Sequence, residues 1–274
     1  MENFLAISAL NLAAVLILMT VGWAISVRDQ NVTIVDSLWG LGFILVALIT
    51  FSAGNGFDGR RNLVLWLTAV WGLRLTAHLT WRSWGQQEDH RYARWREKSG
   101  ARFWWVSLFK VFWLQAIFLW VISLILQRIL LASQPAHFTS LDLVGSLIWL
   151  IGMLFESIGD WQLARFKSNP DNRSRVMDQG LWAWSRHPNY FGEFLVWWGF
   201  FLISLSTPGG YWTITSPIIV SVILLNLTGV PLTEAALKKR RPGYADYVRR
   251  TSGFFPRPPL KNNPSPEGGP SENT

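Results

Sequence analysis

The chain has 274 residues, half of them apolar, a formal net charge of +8, 18 tryptophans and no cysteine. The missing cysteines exclude disulfides, thiolate-held metals or clusters, and a cysteine nucleophile. The apolar stretches are apolar nearly all round, which excludes a soluble helical protein whose helices would each keep one polar face.

Seven segments have membrane-spanning length: about Phe4–Ile25, Val32–Ser52, Leu63–Trp81, Phe103–Leu131, Leu141–Leu163, Tyr190–Ser206 and Tyr211–Val230. The expected architecture is an all-α polytopic membrane protein. A seven-transmembrane helix bundle would occupy residues 1–260, and a polar, Pro- and Gly-rich tail, 261–274, is expected to be disordered. The first segment lacks a basic leader and a small-residue cleavage site, so it reads as a retained helix. Of the 25 Lys and Arg residues, 20 fall in the linkers after the first, third and fifth spans and in the tail after the seventh. The positive-inside rule then puts the N-terminus outside and the C-terminus in the cytoplasm. The membrane would be the inner (cytoplasmic) membrane of a bacterium or the endoplasmic reticulum of a eukaryote. Membrane lipid is the natural partner of these basic linkers, nucleic acid is not, and a monomer is the expected unit.

Ionisable groups inside or at the edge of a membrane are candidate functional residues by default. The first is Asp36, one turn into the second span. Thr33-x-x-Asp36 has the spacing of a capping box, a structural role, but an acid here could also donate a proton or hydrogen bond to a carbonyl inside the bilayer. Arg74, in the third span, is a candidate partner. The following loop, Glu88-Asp89-His90-Arg91-Tyr92, mixes both charge signs and reads as a solvated cap held by salt bridges. In the fifth span, Glu156, Asp160 and Lys167 fall on nearly one helical face. Two carboxylates above a basic cluster suit ribose hydroxyls and amides while the cations hold phosphates; the structural alternative is a buried ion pair that fixes helix packing.

The densest signal is LWAWSRHPNYFGEFLVWWG, Leu181–Gly199. A membrane helix rarely opens with so many polar groups, since each is costly to desolvate unless paired. Asn189 and Glu193 are four apart and share one helix face. The last cluster, LKKRRPGYADYVRRTSGFF at Leu237–Phe255, sets Arg240, Arg241, Tyr244 and Tyr247 in a basic stretch. Two basic loops at one face suggest a phosphate-bearing, aromatic cofactor entering from the cytosol. The four histidines lack metal-ligand spacing, and neither a GxGxxG after a strand nor GxxxxGK before Ser or Thr is present, so a His-rich metal site, a Rossmann site and a P-loop are not expected.

RHPNYFGE at Arg186–Glu193, with VPLTEAALKKRRPGYADY at Val230–Tyr247, resembles the membrane steroid 5α-reductase family, most of all its bacterial branch. The resemblance covers most of the chain and is most specific from Glu156 onward. It implies a seven-helix fold, NADPH as cofactor, and reduction of the C4–C5 double bond of 3-oxo-Δ4 steroids or similar lipidic enones reached from the bilayer. The family's NxxGE element falls on Asn189, Gly192 and Glu193, its intramembrane Asp on Asp160, its following basic residue on Lys167 and its loop arginine on Arg175. Its carbonyl-polarising Glu aligns loosely with Asp36. Its tyrosine partner in the third helix has no clear match, the nearest positions being Trp71 and His78. Glu156, Trp184, His187, Tyr190, Glu234, Arg240, Arg241, Tyr244 and Tyr247 complete the expected cofactor-binding set. RHPxYxG is also similar to membrane methyltransferases that use S-adenosylmethionine on isoprenylcysteine carboxylates. There the region after the last span carries paired acids, where this chain has Glu234 alone in LTEAAL.

Overall fold

The computed structural model describes residues 2–227 and, beyond them, residues 229, 230, 234, 237, 241 and 243–260. The tail 261–274 lies outside the described residues. Regular structure among the described residues is helical, with no strand. A segment surrounded by hydrocarbon must satisfy its backbone hydrogen bonds internally, and the α-helix does so within one segment.

The order is α1 (Glu2–Asp29), α2 (Ile34–Ala53), α3 (Asp58–Ser83) and the short polar α4 (His90–Ser99). Then α5 (Phe103–Ser107) passes through a π-helical stretch, Leu108–Trp113, into α6 (Leu114–Leu131). There follow α7 (Ser140–Ser168), the single turn α8 (Leu181–Trp184), α9 (Pro188–Leu205), α10 (Thr215–Val222) and α11 (Tyr244–Arg250). Among the described residues, six stretches are long and apolar enough to cross a membrane: Asn3–Asp29, α2, α3, His90–Leu131, α7 and Gly210–Leu227. The expected sixth segment is a helix, α9, of 18 residues. Pro188, Asn189 and Glu193 in its opening turns dilute its apolar character, so it is not among the six.

The chain forms two compact units. The first contains the residues up to Trp149 together with Trp197–Val220; the second contains Leu150–Val196 and the described residues from Ser221 onward. In the first unit, α2 and α3 approach at glycine: a Cβ on Gly40 would lie 2.2 Å from the Gly72 carbonyl oxygen. Phe43 of α2 packs on Trp197 and Trp71 with ring centroids 4.8 Å and 5.6 Å away. Such contact matters because lipid tails are as apolar as Leu, so helices in a membrane associate through close packing and polar contacts.

The same unit holds a fully buried ion pair. Arg60 Nε and Nη2 donate to the two oxygens of Asp142 at 2.7 Å and 2.9 Å. The remaining guanidinium donors reach the carbonyls of Pro135 at 3.1 Å and His137 at 3.0 Å. Asp142 also accepts from the Thr139 N–H at 2.8 Å and the Ser206 hydroxyl at 3.0 Å. Arg60 is 0% exposed and Asp142 1%, so every charge-bearing atom depends on these partners. Asp142→Ala strands the Arg60 cation; it should cost about 3–5 kcal/mol and lower the thermal midpoint in detergent by roughly 10 °C. Unfolding followed by circular dichroism checks this. The pair Arg60→Met, Asp142→Leu should recover only part, because the Pro135 and His137 carbonyls lose their donors.

Candidate active site

In the second unit, glycine sets how near α7 and α9 come. A Cβ on Gly192 would lie 2.4 Å from the Glu156 nitrogen and 2.5 Å from the Gly152 oxygen. One turn away, a Cβ on Gly159 would lie 3.2 Å from the Asn189 nitrogen. This approach buries Glu156 to 3% and Asp160 to 8% exposure and brings Asp160 to Asn189, whose amide nitrogen donates to Oδ1 at 2.9 Å. The acceptor end of the same amide, Asn189 Oδ1, is buried with no hydrogen-bond partner. A buried acceptor left in this state costs about 1–3 kcal/mol, so the amide is suited to a ligand that brings an N–H or O–H. Glu193 stands one turn on along α9 and is half-buried.

Beyond α7, the basic residues gather around Asn172. Arg175 donates to its side-chain oxygen at 3.4 Å, and Arg241 to its carbonyl at 3.1 Å. Asn172 lines an open cavity of ≈ 500 Å³, with Trp161, Arg165, Phe166 and Met177. The Arg165 guanidinium lies 5.6 Å from the Trp161 ring centroid. Lys167 sits exposed in the last turn of α7. Arg240 lies outside the described residues. The cavity thus offers aromatic surface beside fixed cations, a combination that takes an anionic, aromatic group.

Several residues expected around a cofactor are engaged in folding. Arg186 grips Glu234 through Nε and Nη2, each at 2.8 Å, and its Nη1 donates to the carbonyls of Thr251 at 2.8 Å and Val248 at 3.2 Å. His187, 1% exposed, faces the same Glu234 oxygen at 3.4 Å and stacks on Tyr190 with centroids 5.5 Å apart. The Tyr247 hydroxyl donates to the Trp182 carbonyl at 2.6 Å, and the Trp182 indole donates to the Gly159 carbonyl at 3.0 Å. Burial pushes the Tyr244 phenol up to about 12 and raises Tyr247 as well, so both stay neutral. Trp184 is half-exposed, and its carbonyl accepts from the Arg257 N–H at 3.0 Å.

Asp36 is not the acid of a capping box. Thr33 makes no side-chain cap to α2; its hydroxyl accepts from the Asp89 N–H at 2.9 Å. Asp36 Oδ1 accepts the Tyr92 hydroxyl at 3.2 Å, and Oδ2 faces Arg91 at 3.8 Å. Tyr92 is 6% exposed, so the loop expected to be a solvated cap contributes a buried phenol. Its other charges do form salt bridges: Arg96 with Glu88 at 2.8 Å and Arg91 with Asp89 at 2.9 Å. Trp71 is packed on Phe43 and Trp197, and His78 lies against Trp81 with centroids 6.2 Å apart. The phenol beside Asp36 therefore comes from α4. Its pairing with Asp36 has no periodic signal, because 56 residues separate the two.

A family profile described as "Protein of unknown function (DUF1295)" matches residues 22–251, most of the chain. The chain belongs to the DUF1295 family. That family is related to the steroid 5α-reductases. An uncharacterized protein of Schizosaccharomyces pombe is 27% identical over 275 aligned positions, covering 88% of this chain and 77% of that protein. No solved structure matches the chain.

The His187 hydrogen bond, with Arg186 beside it, holds the Glu234 carboxyl down at about 2, against an ordinary 4.5, despite partial burial. Below pH 4.5 the unfolded chain takes up a proton here that the folded chain refuses. Stability from this site is complete above that pH and lost as pH falls through about 2. Unfolding midpoints measured from pH 6 downward should fall across this window. Glu234→Gln should be less stable at pH 6 and show a shallower decline below pH 4.5.

Proposed function

We propose that this protein is an integral-membrane, NADPH-dependent reductase of lipidic enones, 3-oxo-Δ4 steroids being the model substrate class. The observation that carries the reading is the Tyr92 hydroxyl held on Asp36 at 3.2 Å at the start of an apolar helix. A phenol and a carboxylate paired there suit polarisation of a carbonyl; methyl transfer to a carboxylate has no use for such a pair. The proposal includes seven spans, with α9 as the sixth crossing and the basic loops in the cytoplasm.

The residues of the second unit fit the cofactor. Asn189 Oδ1 supplies a buried acceptor, Asp160 fixes the amide's orientation, and Glu193 adds a second polar group on the same face of α9. Arg175, Arg241 and Lys167 would neutralise phosphates, and the Trp161–Phe166 surface would take an aromatic ring. Bound there, NADPH supplies the hydride. In the first unit, Tyr92 would donate its hydrogen bond to the enone oxygen. As the β-carbon gains the hydride, the electron pair moves onto that oxygen, where the Tyr92 proton, turned from Asp36 to the substrate, stabilises it. The α-carbon then takes a proton from water and the carbonyl re-forms, so one hydride and one proton are added in all. The substrate reaches the site from the bilayer.

Purified protein with NADPH and a panel of Δ4-3-ketosteroids should yield products heavier by two hydrogens, read by mass. Calorimetric binding of S-adenosylmethionine without NADPH binding would replace the reading with methyl transfer. Asp36→Asn and Tyr92→Phe should each lower kcat by roughly 10²–10⁴-fold while NADPH affinity stays close to wild type. Asn189→Ala should do the converse, weakening NADPH about ten- to a hundredfold in a direct titration. Neutralising Arg175 should weaken NADPH more than NADH where it meets the 2′-phosphate, and both equally where it meets the pyrophosphate.

A further inference from the structure

Asp36 and Trp39 are three residues apart on α2 and share a face. A chain of hydrogen bonds leaves α2 at one and returns at the other. The Trp39 indole Nε1 donates to Gln115 Oε1 of α6 at 2.6 Å. Gln115 Nε2 donates to the Tyr92 hydroxyl oxygen of α4 at 3.3 Å. Tyr92 donates to Asp36 Oδ1 at 3.2 Å.

The direction of each bond follows from the two ends. An indole N–H can only donate, so the Gln115 oxygen must face Trp39 and its NH₂ must face Tyr92. An amide NH₂ can only donate, so the phenol oxygen must accept from it and send its own proton elsewhere. At the far end, Asp36 Oδ1 takes the phenol proton, and Arg91 lies 3.8 Å from Oδ2. Neither middle member has freedom to reverse. A hydroxyl that would otherwise rotate is thereby given one proton direction, away from α6 and toward Asp36.

We infer that Gln115, oriented by Trp39, is a positioning pair that fixes the proton direction of Tyr92 and stabilises negative charge on its oxygen. This rests on the reductase reading for its consequence in catalysis, but not for its existence. When a substrate carbonyl replaces Asp36 Oδ1 as the acceptor on that side, the amide N–H of Gln115 stays on the phenol oxygen and meets the charge that develops there. Neither Gln115 nor Trp39 touches the reacting atoms in this scheme; both act through Tyr92.

Two measurements test it. The chain has five tyrosines, so protein carrying ¹³C at tyrosine Cζ gives few resonances, and Tyr92→Phe identifies the one from Tyr92. In ligand-free protein, Gln115→Leu should move the Tyr92 resonance and leave the other four in place, which also verifies the fold. Gln115→Glu keeps the size but cannot donate to the phenol, and it should move the same resonance. Trp39→Phe should move it less, and adding Trp39→Phe to Gln115→Leu should move it no further, since Trp39 acts only through Gln115. In turnover of an enone, each Gln115 variant should lose roughly ten- to a hundredfold in kcat with KM within about threefold. An unmoved Tyr92 resonance in both Gln115 variants, or additive effects of Trp39 and Gln115, overturns the inference. Wild type that reduces no enone overturns the reductase reading, while the resonance still decides the relay.

Discussion

Backbone contact at glycine is the constraint on which the polar chemistry of this chain depends. Between α7 and α9, Gly145 meets Gly199, Gly152 meets Gly192 and Gly159 meets Asn189, at seven-residue spacing along α7. A Cβ at Gly145 would lie 2.7 Å from the Gly199 oxygen, so no larger residue fits without parting the helices. Short side chains on a membrane helix reach a neighbour only when backbones are this close. Asn189 and Asp160 are short, and their 2.9 Å hydrogen bond needs the close approach that Gly152 and Gly192 make on the same pair of helices. The α2–α3 contact at Gly40 and Gly72 belongs to the same class, one turn along α2 from Asp36.

The apolar spans were legible because hydrophobic length is a property of consecutive residues. Asp160 and Asn189 were also readable as an intramembrane acid and a polar helix start. Their meeting was not, since the seven-residue glycine spacing that produces it carries no polar signal. Tyr92 shows the harder limit. Within Glu88–Arg96 both Tyr92 and Trp95 are apolar-bodied among charges, and on this ten-residue helix Trp95 stays exposed while Tyr92 is the one turned inward. Which group it would meet depended on Thr33 binding the Asp89 backbone and Glu88 binding the Val32 N–H at 2.9 Å. Those contacts latch the α1–α2 connection to the start of α4, and no local pattern encodes them.

The RHPNY motif has a different lesson. Its Arg186 and His187 converge on Glu234, and Arg186 also binds the carbonyls of Val248 and Thr251. Ser185 donates to the Phe254 carbonyl at 2.7 Å. These bonds tie the loop before α9 to the stretch that follows the last apolar helix, all within the second unit. Glu234 is thus already engaged by Arg186 and His187, which leaves it little capacity to engage a ligand. Arginine and histidine engaged in this way do the same work whatever ligand the unit holds, so the motif cannot separate reduction from methyl transfer. The separation has to come from groups outside it. Asp36 and Tyr92, whose hydrogen bond has no part in anchoring that loop, make the more informative pair for the chemistry.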